Sequence, residues 1–269
     1  MGVGFALAAL TDEIAADLET ALATLTATGI REVELRTVLG KNILELTDAE
    51  AAACRGVLEA SGFAVSGLAS PIGKSGLDVP GSFEEHRLAR ALELAAALGT
   101  RRIRVFSFYP PEGTAGAGEE VVARLRRLTR AAEGAGVTLV LENEVGLWGD
   151  VPERCAHILE EVASPGLGFA WDPANFLRSG VARPFDAGWG LLGPHVVCAH
   201  VKDCTADGRH TPAGQGQGQW PALIAALGAR GGVPLVMEPH LEVAGHSTGF
   251  TGRERFVEAT VAIRALLAQ

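Results

Sequence analysis

Short apolar runs alternate with longer amphipathic stretches along the whole chain. Gly4 to Leu10, Glu32 to Arg36, Phe63 to Ala69, Arg102 to Ser107, Val137 to Glu142, Leu167 to Asp172, His195 to His200 and Pro234 to Glu238 each read as a strand. Continuous apolar runs of this length are what strands buried on both faces look like. Between them lie Ala/Leu-rich segments with helix signals: Gly29, Gly62 and Gly99 after helical runs, and cap patterns at Thr47–Glu50, Ser82–Glu85, Asp150–Glu153 and Thr251–Glu254. The segment after Asp172 that carries Arg183-Pro184 reads as irregular, and Asp203 to Gln219 as a long polar loop. Strict strand–helix alternation implies a parallel sheet. Eight units imply a closed (β/α)8 TIM barrel, an α/β fold, as a single domain over residues 1–269. No Gly-x-Gly-x-x-Gly follows the first strand, which counts against a dinucleotide-binding sheet.

Four of the strands deliver one metal-ligand type of side chain at the C-terminal end: Glu142, Asp172, His200 and Glu238. Strand parity puts Val140, Glu142 and Glu144 on one side and Leu139 and Leu141 on the other. An acid at the end of a buried strand is costly unless a positive group faces it. In a closed barrel these ends surround one mouth, where active sites sit. Three carboxylates and an imidazole suit one divalent ion. Mn²⁺ is expected, with Mg²⁺, Co²⁺ or Zn²⁺ as alternatives, since the ligand types do not choose among them. Glu142 and Glu238, from different sides of the mouth, fit proton removal and return beside a carbonyl polarised by the ion.

Further polar residues fall on the same face. Lys202 shares parity with His200 and should enter the mouth. Arg36 ends the second strand, for substrate contact or as a structural pair with Glu34. Lys74 lies in the Ser70–Lys74 loop, either at the site or simply solvated. Asn175 and His240 follow Asp172 and Glu238 closely enough for substrate contact. His210 and the glycine-rich run Ala213–Gln219 read as a mobile active-site loop, His246 as loop surface. Trp171 and Trp220 read as packing residues, and Trp148 as a wall of the pocket.

Composition adds exclusions. A net charge of −9 argues against nucleic acid as the main partner. The four cysteines are scattered, with no Cys-x-x-Cys pair, so neither a zinc knuckle nor a disulfide framework is implied. No signal-peptide pattern or membrane-length apolar run occurs, so a cytoplasmic protein with no membrane partner is expected.

Seven short strings carry a resemblance that spans nearly the whole chain: Val33–Arg36, Ser70–Lys74, Arg104–Phe108, Leu141–Asn143, Trp171–Asn175, His200–Asp203 and Glu238–Leu241. In this order they resemble the xylose isomerase-like barrel superfamily, in its sugar phosphate isomerase/epimerase branch. The resemblance implies metal on Glu142, Asp172, His200 and Glu238, with proton transfer by the two glutamates. It also implies a small-molecule carbohydrate substrate, a carbonyl sugar, sugar acid, sugar phosphate or polyol, reacting through an enediolate. Barrels of this kind often associate, so a homo-oligomer is an open expectation. Ketose 3-epimerases of the superfamily place a histidine where this chain has Asn175 and an arginine where it has Ala206; Lys202 and Arg209 are candidate replacements for that charge. A metal-dependent lyase or dehydratase, acting on a keto-inositol or an oxidised glycoside, is the alternative on the same site. A DNA-repair endonuclease would need histidines where Ala69-Ser70 and Ser107-Phe108 stand, and a non-catalytic sugar-binding barrel would not need the intact ligand set.

Overall fold

A computed structural model describes residues 4–111, 116–242 and 249–269; His246 lies outside them. Eight parallel strands close into a barrel in sequence order: β1 (Leu7–Leu10), β2 (Glu32–Leu35), β3 (Ala64–Leu68), β4 (Arg102–Val105), β5 (Thr138–Glu142), β6 (Leu167–Trp171), β7 (Val196–Val201) and β8 (Leu235–Met237), with β8 pairing back onto β1. The fold is an α/β TIM barrel. β1 and β5 end where expected, β7 runs one residue further to Val201, and the other strands stop one or two residues early, so Arg36, Asp172 and Glu238 stand just past their strand ends.

Around the barrel lie α1 (Leu18–Thr28), α2 (Asp48–Ala60), α3 (Gly81–Leu98), α4 (Ala117–Gly134), α5 (Pro152–Val162), α6 (Pro173–Arg178), α7 (Pro184–Leu192), α8 (Trp220–Gly228) and α9 (Arg253–Leu267). Alternate strand residues separate two cores, as a pleated strand requires. Leu139 and Leu141 join the shell beneath the helices, whereas Val140 packs inside the barrel with Ala170 and Cys198. A second interior group is Ala8, Leu10, Ala69 and Val236. No helix among the described residues is long and apolar enough to cross a membrane.

Several local expectations need correcting. The stretch after Asp172 forms two helices, α6 and α7. Thr47 and Glu50 make the expected reciprocal cap of α2. The other three caps do not form, because their residues are engaged elsewhere or sit out of register. Ser82 lies inside α3, which starts after Pro80. Asp150 pairs with Arg154 at 3.0 Å. Thr251 turns its hydroxyl to Glu13 at 2.6 Å.

Candidate metal centre and active site

The four strand-end residues meet. Glu142, Asp172, His200 and Glu238 each offer a ligand atom within 4.8 Å of the others, and all four are buried. His200 Nδ1 lies 3.0 Å from Glu142 Oε1 and 2.9 Å from Glu238 Oε2. Above them opens a cavity of about 370 Å³, whose lining includes Glu142, Glu238, Arg36, Lys74, Asn175, Lys202 and His240. Every residue singled out from the sequence as a ligand or contact therefore lies at or directly beneath this cavity.

The acids are held by cations. Arg36 forks between Asp12 (2.8 Å), Glu13 (3.0 Å) and Glu238 (2.9 Å), using three different nitrogens. This replaces the expected pair with Glu34, which lies one step down the strand beside Gly67. Lys202 Nζ donates to Asp172 Oδ2 at 2.7 Å and lies 3.4 Å from Glu238 Oε2. Arg104, which the sequence reading missed, brings NH1 to 3.1 Å from Glu142 Oε2. It was legible in principle: Arg104 pairs in register with inward-facing Val140, two residues before Glu142. The positive group that a buried Glu142 demands thus comes from the adjacent strand.

Asn143 and Asn175 fix the ligand loops. Asn143 receives the Asp172 amide at 3.0 Å and donates to the Asp172 carbonyl at 2.8 Å, tying the end of β5 to that of β6. Asp172 caps α6 by accepting the Asn175 amide at 2.9 Å. The Asn175 side chain donates to the Asn143 carbonyl at 3.0 Å and reaches Glu142 Oε1 at 3.4 Å.

Burial raises the Glu142 carboxyl, but His200 and Arg104 outweigh burial and hold it at about 2. Glu238 is likewise pulled well below the ordinary carboxylate range by Lys202 and His200, against its burial. Burial dominates at Asp172 and pushes it up to about 6 despite Lys202. Burial would lower His200, yet Glu142 and Glu238 raise it to about 10. The two glutamates thus favour a positive charge between them.

Two observations fit this centre to a divalent ion. Glu142 Oε2 and Glu238 Oε2 are buried with no hydrogen-bond partner, although cations lie within ion-pair distance. An orphaned buried carboxylate oxygen is costly, and a metal ion satisfies it. Charge gives the same answer: five carboxylates (Asp12, Glu13, Glu142, Asp172, Glu238) face three permanent cations (Arg36, Arg104, Lys202). Counting these permanent charges alone, the remainder is two negative charges, the amount one divalent ion cancels.

Other expectations fare less well. Trp148 does not wall the cavity; it packs on Gly118 of α4 and against His157, 5.6 Å between ring centres. Arg209 is 79% exposed and pairs with Asp207 on its own loop, so it supplies no charge to the site. The glycine-rich run is pinned rather than loose: buried Asp203 accepts the amides of Gly214, Gly216 and Gly218 at 2.9, 3.0 and 2.8 Å. A Cβ on Gly216 would collide with the Asp203 carboxylate, so the approach needs glycine. His210 does reach the cavity, beside His240. Glu13 was also missed. It accepts from Arg36, the His240 amide (3.2 Å) and Thr251, and so joins the loop after β8 to the site.

Residues 22–255 match the xylose isomerase-like TIM barrel family. The chain belongs to that family. No functionally curated protein matches it by sequence. Among solved structures, it resembles a probable 3-DHS dehydratase, AsbF, from Bacillus anthracis (17% identity, TM-score 0.77, covering 97% of this chain and 99% of that one). It also resembles an L-ribulose 3-epimerase (16%, TM-score 0.76, 98% and 95%). A third is a xylose isomerase-like TIM barrel protein from Mycobacterium smegmatis in complex with magnesium (17%, TM-score 0.72, 98% and 97%). At these identities the likeness establishes the fold. That an epimerase and a probable dehydratase both wear it means the reaction must be argued from the site.

Proposed function

We propose that this member of the family is a divalent-metal-dependent isomerase or epimerase of a carbonyl sugar, sugar acid, sugar phosphate or polyol. The observation that carries the reading is the pair Glu142 and Glu238, two ionised carboxylates with unsatisfied oxygens over one ligand cluster at the floor of a small cavity. Glu142, Asp172, His200 and Glu238 would hold the ion, Mn²⁺ first among the candidates, and it would polarise the substrate carbonyl and stabilise enediolate charge. Glu142 takes the proton from the carbon beside the carbonyl and Glu238 returns one from its own side of the mouth. Arg104 and Arg36 keep these two carboxylates ionised, as a base must be. Lys202 orients Asp172 and presents its ammonium to a substrate oxygen.

A second reading, dehydration or another elimination, shares the first proton abstraction. It is favoured by Asn175: its amide is committed to the Asn143 carbonyl and Glu142, and no titratable imidazole stands at that position. The deciding experiment is NMR in heavy water on a panel of ketoses, sugar phosphates, sugar acids and keto-inositols, with and without Mn²⁺. Isomerisation or epimerisation places deuterium on carbon with the formula otherwise unchanged, whereas elimination yields a product lacking a hydroxyl. Full turnover by Glu142→Gln with metal still bound would refute both readings.

A further inference from the structure

We propose that the substrate carries an anionic group, a carboxylate or a phosphate, and that Arg178 is the residue that binds it. The inference builds on the metal reading only for the reacting end of the substrate.

The argument is one of unmatched charge. Among the described residues the cavity is lined by five permanent cations, and four of them already face a carboxylate of this chain. Arg36 holds Asp12, Glu13 and Glu238; Arg104 faces Glu142; Lys202 holds Asp172; Lys74 holds Glu144 at 2.7 Å. Arg178 is the fifth, and among the described residues it has no ion pair or hydrogen bond. It is exposed, ends α6, and lines the same cavity as Asn175, one turn back on that helix. A guanidinium at the rim of a concave site, with donors in a planar fork, is suited to a carboxylate or phosphate.

The surroundings work in the same direction. Burial and the positive field of Lys202, His240 and Arg178 hold His210 down at about 4, so it is neutral at the rim and can donate or accept without adding charge. Once a divalent ion balances the buried acids, the remaining carboxylates on the cavity wall are Glu144, already matched by Lys74, and exposed Glu242 on the loop after β8. A cavity of about 370 Å³ holds a whole small sugar derivative, so one end can lie on the ligand cluster while the other reaches the rim.

The test uses matched probes on the Mn²⁺-loaded protein: D-fructose 6-phosphate against D-fructose, and D-gluconate against D-glucitol, by titration calorimetry. The wild type should bind at least one anion about tenfold or more tightly than its neutral partner. Whichever anion leads identifies phosphate or carboxylate as the group. In Arg178→Gln that margin should vanish, and Arg178→Lys should restore part of it, with Mn²⁺ affinity equal in all three proteins. A neutral probe bound as tightly as its anion, or a margin that survives Arg178→Gln, overturns the proposal. The same titrations without metal separate it from the reading above: a charge margin in a protein that fails to bind Mn²⁺ refutes the metal centre and leaves Arg178 standing.

Discussion

Among the described residues two groups of side chains have ligand chemistry, and they share Glu238. Glu142, Asp172, His200 and Glu238 form one; Glu13, Glu238 and His240 form the other. They are equally compact and nearly equally buried, yet they differ in what their oxygens already do. Glu13 is saturated: Oε1 accepts from Arg36 and lies 2.7 Å from His240 Nδ1, while Oε2 accepts from Thr251 and the His240 amide. Glu142 and Glu238 each retain an orphaned oxygen. A cluster of acids fits a metal ion where its acceptors exceed its donors, and serves as a structural joint where they balance. Glu238 stands in both, one oxygen on Arg36 and the other toward His200 and Lys202.

The largest expected effect breaks the first group. Asp172→Asn should lower Mn²⁺ affinity more than about 100-fold, beyond the usual cost of losing a supporting contact. Elemental analysis of the wild type should find one ion per chain; two would mean that the Glu13 group also binds metal. Glu142→Gln should lower turnover by about 10² to 10⁴-fold, the range of a general base. Calorimetry with Mn²⁺ alone shows whether that loss reflects the proton transfer or the ion.

Next in size is the joint. Glu13→Gln removes the charge that Arg36 and His240 face, and should cost about 1–3 kcal/mol of stability in urea unfolding. Because Arg36 also braces Glu238, kcat/KM should fall about 10-fold while one ion per chain is retained. Loss of the ion in this variant would erase the distinction between the two groups.

The joint also has a pH signature. Burial raises Glu13, but His240 and Arg36 prevail and bring it from 4.5 to about 2. A depressed carboxylate contributes stability that is fully present above its unfolded pKa and is lost as pH falls through the folded value. The wild type should therefore lose its advantage over Glu13→Gln between pH 4.5 and about 2. Acid titrations followed by circular dichroism should show the two curves converging there, and curves that stay parallel would count against the saturated carboxylate.

The first group was legible in the sequence and the second was not, for a physical reason. Ligand-type side chains at strand ends follow from period-two parity, a local property, and from the strand–helix alternation that the whole chain repeats. The Glu13 joint depends on which distant partner reaches a given oxygen. Thr251 reads as a helix cap but donates to Glu13; Arg36 reads as a partner of Glu34 but projects past the strand end to Asp12, Glu13 and Glu238. Trp148 follows Glu144 closely and yet turns away to α4. The barrel, its eight strands and the meeting of four ligand-type side chains at its mouth needed no such knowledge. The caps after Ser82 and Asp150, and the helices after Asp172, turned on competition among neighbours that a pattern does not rank.

The smallest effect should come from Arg209, which lies on the loop that Asp203 pins and which the sequence offered as a replacement cation. Both Arg209 and its partner Asp207 are largely exposed, at 79% and 60% of their side chains, and the pair spans only two residues of one turn. Such a contact is screened by solvent, and a surface substitution of this kind typically moves stability by no more than about 0.5 kcal/mol. Arg209→Ala should leave Mn²⁺ affinity, kcat and KM unchanged within error. A tenfold rise in KM would mean that the loop brings Arg209 onto the substrate during turnover. The matched charges at the cavity wall would then describe only the resting protein, and the contrast between saturated and unsaturated acids would have to be redrawn for the closed state.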